Sequence, residues 1–141
     1  MNEMTIQKST VLPPDAIAIR QEVFMEEQGF QDEFDAIDEI AAHLVLYENG
    51  EPVAVCRYYP DTEPDCYLFG RLAIRKPYRS GGRGRILLAA AEEEIRAAGG
   101  RKVILSAQVR VQGFYEKCGY HAEGETYLDE DCPHIRMEKI L

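Results

Sequence analysis

Arg79-Ser80-Gly81-Gly82-Arg83-Gly84 stands between the apolar run Tyr67 to Ile74 and the alanine-rich segment Ile86 to Ala91. A loop of that composition between a strand and a helix can hold an anion. Glycines let backbone N–H groups approach closely, and the first helical turn presents unpaired N–H groups at the positive end of the helix dipole. Ser80, Gly81, Gly82 and Gly84 are therefore candidate diphosphate-binding positions. Arg79 and Arg83 could each add a charge-assisted hydrogen bond of roughly 1.5–3 kcal/mol. Arg85 or Lys76 could face a further phosphate. A Walker loop would end in Gly-Lys-Ser/Thr, whereas this one ends Gly84-Arg85-Ile86. A dinucleotide fingerprint would stand in the first strand–helix turn, with an acid about 20 residues on. The competing reading is a glycine-rich turn with solvated arginines.

Arg79-x-x-Gly82-x-Gly84 resembles the phosphate loop of the GNAT superfamily of N-acetyltransferases. Phe114-Tyr115-Glu116-Lys117-Cys118-Gly119-Tyr120 looks like the helix-to-strand segment that follows it there. Val23-Phe24-Met25-Glu26-Glu27-Gln28, then Asp35-x-x-Asp38 and His43, resembles the ElaA-like branch, as does Pro133-His134-Ile135-Arg136-Met137. The resemblance spans nearly the whole chain. It implies a GNAT-like fold, an α/β protein with a central mixed sheet and helices on both faces, and acetyl-CoA as cosubstrate. The pantetheine amides would pair with the backbone of Leu72, Ala73 and Ile74, a form of strand addition. Gln108, in Ser106-Ala107-Gln108, would hydrogen-bond the cosubstrate or the adjacent loop.

The implied reaction is acetyl transfer from acetyl-CoA directly to a primary amine of a small molecule or peptide. A protonated amine has no lone pair, so a base is useful; the departing thiolate benefits from a proton donor. Tyr115 occupies the family position for that donor, and a phenol near pKa 10 suits an alkyl thiolate. Glu26, Glu27, Glu33, His43 and His134 are the candidate bases, with Glu27 and His134 favoured. Imidazole ordinarily titrates near neutrality. Against His43 stands its apolar neighbour run Leu44-Val45-Leu46, where a structural hydrogen bond is as good a reading. Transfer by positioning alone is the alternative. No cysteine has a partner suited to nucleophilic catalysis. The competing functions are a non-catalytic acyl-CoA-binding or interaction module and a nucleotide-binding domain.

Charge supports a small-molecule site. The chain has 141 residues, enough for one domain with a real core, and a net charge of -9. That argues against general nucleic-acid binding. Gln21 to Glu39 holds eight acids and no Lys or Arg, whereas Arg71 to Arg85 holds six basic residues and no acid. The expectation is a cationic end for the cosubstrate and an anionic end for a cationic acceptor. No run approaches 18 consecutive apolar residues, so no membrane span is expected. Met1-Asn2-Glu3-Met4 shows no secretory leader. Cys56, Cys66, Cys118 and Cys132 lack metal spacing, which fits free thiols, no metal centre and a cytoplasmic protein.

The elements that must position these groups follow from periodicity and breakers. A short strand is expected at 5–7 and a helix over 14–27, ended by Gly29. Residues 30–39 form an acidic arm. Strands are expected at 41–47 and 52–59, joined at Asn49-Gly50, and again at 66–74. The alanine-rich helix covers 83–98 and stops at Gly99-Gly100. A strand at 101–107, a helix at 111–117 and strands at 120–127 and 135–140 follow. The strand–helix–strand crossover requires its two strands to be parallel. Edge strands allow a homodimer.

Overall fold

In the strand Ala42-His43-Leu44-Val45-Leu46, Leu44 and Leu46 face one side and Val45 the other, and all three are buried. A sheet carrying such strands needs cover on both faces. The structure, a computed structural model, describes residues 3–141. Met1 and Asn2, read above for a leader, lie outside the described residues.

Among the described residues, seven strands form one sheet: β1 (Met4–Ser9), β2 (Ala42–Glu48), β3 (Glu51–Pro60), β4 (Cys66–Ile74), β5 (Lys102–Gln108), β6 (His121–Asp129) and β7 (Cys132–Ile140), in the order β1-β2-β3-β4-β5-β7-β6. β4 and β5 are parallel, joined by α2 (Arg83–Ala97); the other neighbours are antiparallel. Leu87, Leu88, Ala91 and Ile95 of α2 are buried against Leu44, Leu46, Ala54 and Cys56, together with Tyr115 of α3 (Gln112–Lys117). On the opposite face, Ala16 and Ile19 of α1 (Pro14–Arg20) pack on Val45, Val55 and Ala73. The mixed sheet with helices on both faces is the expected architecture.

Two regions of the chain differ from expectation. The helix over 14–27 changes at Gln21 from α to π geometry, which runs to Glu27; such wider turns favour functional sites. The last two strands are longer than read, and only Glu130-Asp131 separates them, with φ of 47° and 63°. Pro133 lies inside the longer β7. It is tolerated because β5 pairing reaches only His134, leaving the missing N–H of Pro133 beyond the β5 ladder.

The feature that creates a site lies in β4. Gly70 pairs with Arg57 and Ala73 with Val55, so Cys56 faces two residues, Arg71 and Leu72. Arg71 takes φ of 54°, a left-handed value rare inside a strand. A bulge bends its strand. Parallel pairing with β5 runs from Cys66–Lys102 to Phe69–Leu105 and stops there.

Candidate functional site

Beyond Phe69 the two parallel strands part, and the gap widens into a groove of about 1300 Å³. On its β4 side, residues 70–74 have no β5 ladder, and Leu72, Ala73 and Ile74 line the groove. At its end the chain turns through Ser80 and Gly82, with φ of 71° and 78°, into α2. Gly82 is the residue before the first turn and offers no side-chain cap. Ile86 N–H bonds the Gly82 carbonyl. Among the described residues, no hydrogen bond engages the N–H groups of Gly82, Arg83, Gly84 or Arg85. The glycine at 84 is needed for closeness. A Cβ there would come within 3.2 Å of Phe114 and 3.3 Å of Ile74. Unpaired donors at a helix start and an open strand edge fit a diphosphate followed by an amide-bearing arm.

The arginines named for that loop are otherwise engaged. Arg79 binds both Glu27 oxygens, at 2.7 and 2.8 Å, and donates to the Ile74 carbonyl at 2.8 Å. Arg83 grips Glu48 at 2.8–2.9 Å and donates to the Tyr78 carbonyl. Both therefore shape the loop. Among the described residues, the groove-lining cations outside an ion pair are Arg85, Arg110 and Lys117. Ser80 lines the groove, whereas Gly81 lies outside its lining.

Tyr115 projects from α3 to the groove and is 8% exposed. Its ring packs against Phe114 and Tyr120, with centroids 5.0 and 6.0 Å away. Burial pushes its phenol pKa well above the usual value, and the Cys56 and Cys118 thiols act in the same direction. Tyr115 therefore keeps its proton more firmly than the sequence suggested.

The candidate bases separate by position. His134, on β7 opposite Gln108, is 7% exposed and lines the groove. Its Nδ1 lies 2.8 Å from the Cys132 carbonyl oxygen. A carbonyl only accepts, so Nδ1 carries a proton, and in the neutral ring the lone pair is then on Nε2. His43 is buried off the groove, with Nε2 2.9 Å from the Asp38 carbonyl. Burial lowers its pKa despite that carbonyl. The Arg79 hydrogen bond holds Glu27 below the usual carboxylate range, and neither Glu26 nor Glu27 lines the groove. Glu33 does line it, buried, and burial pushes its pKa up despite Arg71 and Arg20 beside it.

The acidic arm is held rather than free. Arg20 binds Glu33 and Asp38, each at 2.7 Å. Arg57 binds Asp35 at 2.7 Å and Asp38 at 2.8 Å. Arg71, turned by the bulge, binds Glu33 at 3.0 Å. The turn that leads into the arm ties to both walls of the groove: Glu27 to Arg79, and Gln28 to Gln108 at 2.9 Å. Glu130 in the β6–β7 turn accepts from the N–H groups of Gln31 and Asp32, at 2.9 and 3.3 Å. Asp129 and Glu130 line the groove and were missed from sequence; the acidic run Asp129-Glu130-Asp131 was the available signal. Away from the groove, His121, Glu123 and Glu138 lie close enough to share an ion, but Glu138 is held by Lys102 and Arg136.

Comparison with known proteins agrees with this geometry. Residues 10–141 match the family described as the acetyltransferase (GNAT) domain. The chain is 34% identical to the uncharacterised N-acetyltransferase YjcF of Bacillus subtilis, over 89% of this chain and 90% of that one. It is similar to the crystal structure of an acyl-CoA N-acyltransferase from Pseudomonas aeruginosa, with TM-score 0.83, 27% identity and 99% of each chain covered. It shares its fold with Escherichia coli ElaA, with TM-score 0.84, 24% identity and 99% of each chain covered.

Proposed function

The chain belongs to the GNAT acetyltransferase family, and from that premise we propose that it transfers an acetyl group from acetyl-CoA directly to a primary amine of a small molecule or peptide. The observation that carries this reading is one continuous groove: unpaired N–H groups at the start of α2, the open edge of β4, then Tyr115 and His134. Acetyl-CoA supplies the thioester. The N–H groups of residues 82–85 take the diphosphate, and the edge of Leu72 to Ile74 aligns the pantetheine arm. Tyr115 stays protonated and donates a hydrogen bond toward the sulfur position. His134 Nε2 accepts the proton that the amine must lose. Arg79 holds the β4-to-α2 bend against the arm.

The acceptor is read from the remaining charge. With Glu33, Asp35 and Asp38 neutralised by arginines, Asp32, Asp129 and Glu130 set the sign of that end. They favour an amine that carries further positive charge. Four free thiols, Cys56, Cys66, Cys118 and Cys132, fit a reducing compartment, and we place the protein in the cytoplasm.

The test is CoA release across a panel of primary amines, with Tyr115→Phe in parallel. Wild type should accelerate release with at least one amine, and Tyr115→Phe should lower kcat by about 10²-fold. Tight acyl-CoA binding without acceleration by any amine would instead identify a binding module. Arg85→Ala and Lys117→Ala sort the phosphate contacts. Each should weaken CoA about three- to tenfold by calorimetry, and dephospho-CoA much less. An equal loss for both ligands would move these side chains to the diphosphate; no loss would place the third phosphate elsewhere.

A further inference from the structure

β6 is an edge strand that pairs with β7 alone, and its residues from Glu123 to Asp129 are exposed. An aromatic ring on such a strand is ordinarily free to turn. Tyr127 is not. Its ring lies 6.1 Å from the imidazole of His134 with the planes 24° apart, and its hydroxyl hydrogen-bonds the Ser106 hydroxyl across on β5. The backbone is bent to make this meeting. The register of β6 on β7 shifts between Glu123 and Tyr127, Gly124 within that stretch has φ of 78°, and Tyr127 emerges opposite His134. Bulges beside active sites re-aim side chains in this way. Phe30 of the arm meets the imidazole edge-on, 6.5 Å away at 67°.

We propose that Tyr127, pinned by Ser106, is a positioning residue for His134: it clamps the imidazole so that Nδ1–H stays on the Cys132 carbonyl and Nε2 stays toward the groove. This rests on the reading of His134 as the proton acceptor. The Cys132 carbonyl alone cannot enforce it. A flip of the ring about its last torsion puts Cδ2–H on that carbonyl and carries both nitrogens to the other side, where neither tautomer is held, and this one hydrogen bond is all that the carbonyl sets against it. Stacking along one face opposes rotation of the ring out of that plane. The bond to Ser106 in turn stops Tyr127 from swinging into solvent.

The experiment compares wild type, Tyr127→Ala, Tyr127→Phe, Ser106→Ala and His134→Gln. Nitrogen-edited NMR of the free protein should show His134 as the single Nδ1–H tautomer in wild type and Tyr127→Phe, and as an average of both in Tyr127→Ala. With saturating acceptor, kcat of Tyr127→Ala should fall on the order of 10²-fold at unchanged KM for acyl-CoA, the effect of misplacing a reacting group. Tyr127→Phe, which keeps the stacked ring, should recover most of that rate, and Ser106→Ala should resemble it. Adding Tyr127→Ala to His134→Gln should cost no further activity, because the two act as one unit. An unchanged His134 spectrum in Tyr127→Ala, or fully additive losses in the double variant, would overturn the proposal. A fully active His134→Gln would remove the proton-acceptor reading instead, and the spectrum would still decide whether Tyr127 holds the ring. Tyr127 is 43% exposed on an edge strand, so circular dichroism should report an intact fold in every Tyr127 variant.

Discussion

His134→Gln is expected to lower kcat/KM for the amine by 10²–10⁴-fold, the range for removing a positioned general base. Glutamine is similar in size and can still hydrogen-bond, so the change removes basicity more than volume. The histidine that it replaces is 7% exposed, and among the described residues only its Nδ1 has a hydrogen-bond partner. Binding of acyl-CoA should be unchanged, because His134 stands on β7, away from the loop that ends in Gly84. Presteady-state mixing and calorimetry on the same sample separate the two quantities. A variant with wild-type kcat/KM would show that orientation alone, without a base at this position, carries the transfer.

The second large effect concerns stability. Arg20→Ala should cost about 3–5 kcal/mol, since removing one partner of a buried ion pair leaves the other uncompensated. Arg20 is 1% exposed and faces two buried carboxylates, Glu33 and Asp38. For a domain of this size the loss corresponds to a Tm lower by roughly 10–15 °C. A urea midpoint shift equivalent to less than 1 kcal/mol would mean that the network is solvated and not structural. The pH dependence has a defined sign. Burial alone would raise the Asp38 pKa, but hydrogen bonds from Arg20 and Arg57 outweigh it and bring the carboxyl to about 2. A depressed folded-state pKa stabilises above the unfolded value, 3.8, and that contribution disappears as pH falls from there toward 2. In Arg20→Ala the loss should start at the same pH, which the unfolded carboxyl sets, but be smaller and end at a higher pH, because Asp38 keeps only Arg57 and the Asp35 N–H.

Much of the fold was legible because local rules decide it. Asn49-Gly50 turns with φ of 53° and 84°, as that dipeptide allows, and the helix between two apolar strands made them parallel. The sharp turn into α2 announced itself through its glycines. What stayed hidden depends on partners far along the chain. Nothing in Gly70-Arg71-Leu72 signals a bulge; the left-handed Arg71 is held by Glu33 and Asp35, which precede it by 38 and 36 residues. The eight acids from Gln21 to Glu39 looked like a free anionic surface, yet five of them are paired with arginines: Glu22, Glu27, Glu33, Asp35 and Asp38. Arg79 read as a phosphate ligand because its partner Glu27 lies 52 residues away. Tyr127 attracted no attention at all, since its meeting with His134 depends on a register shift that Gly124 alone does not announce.

The adjacent residues Glu27 and Gln28 tie Arg79 on one lip of the groove to Gln108 on the other. A single peptide link therefore spans the two sides like a tie rod. A shift of either lip is passed to the opposite one, and the groove widens freely only when one of these two side-chain bonds opens.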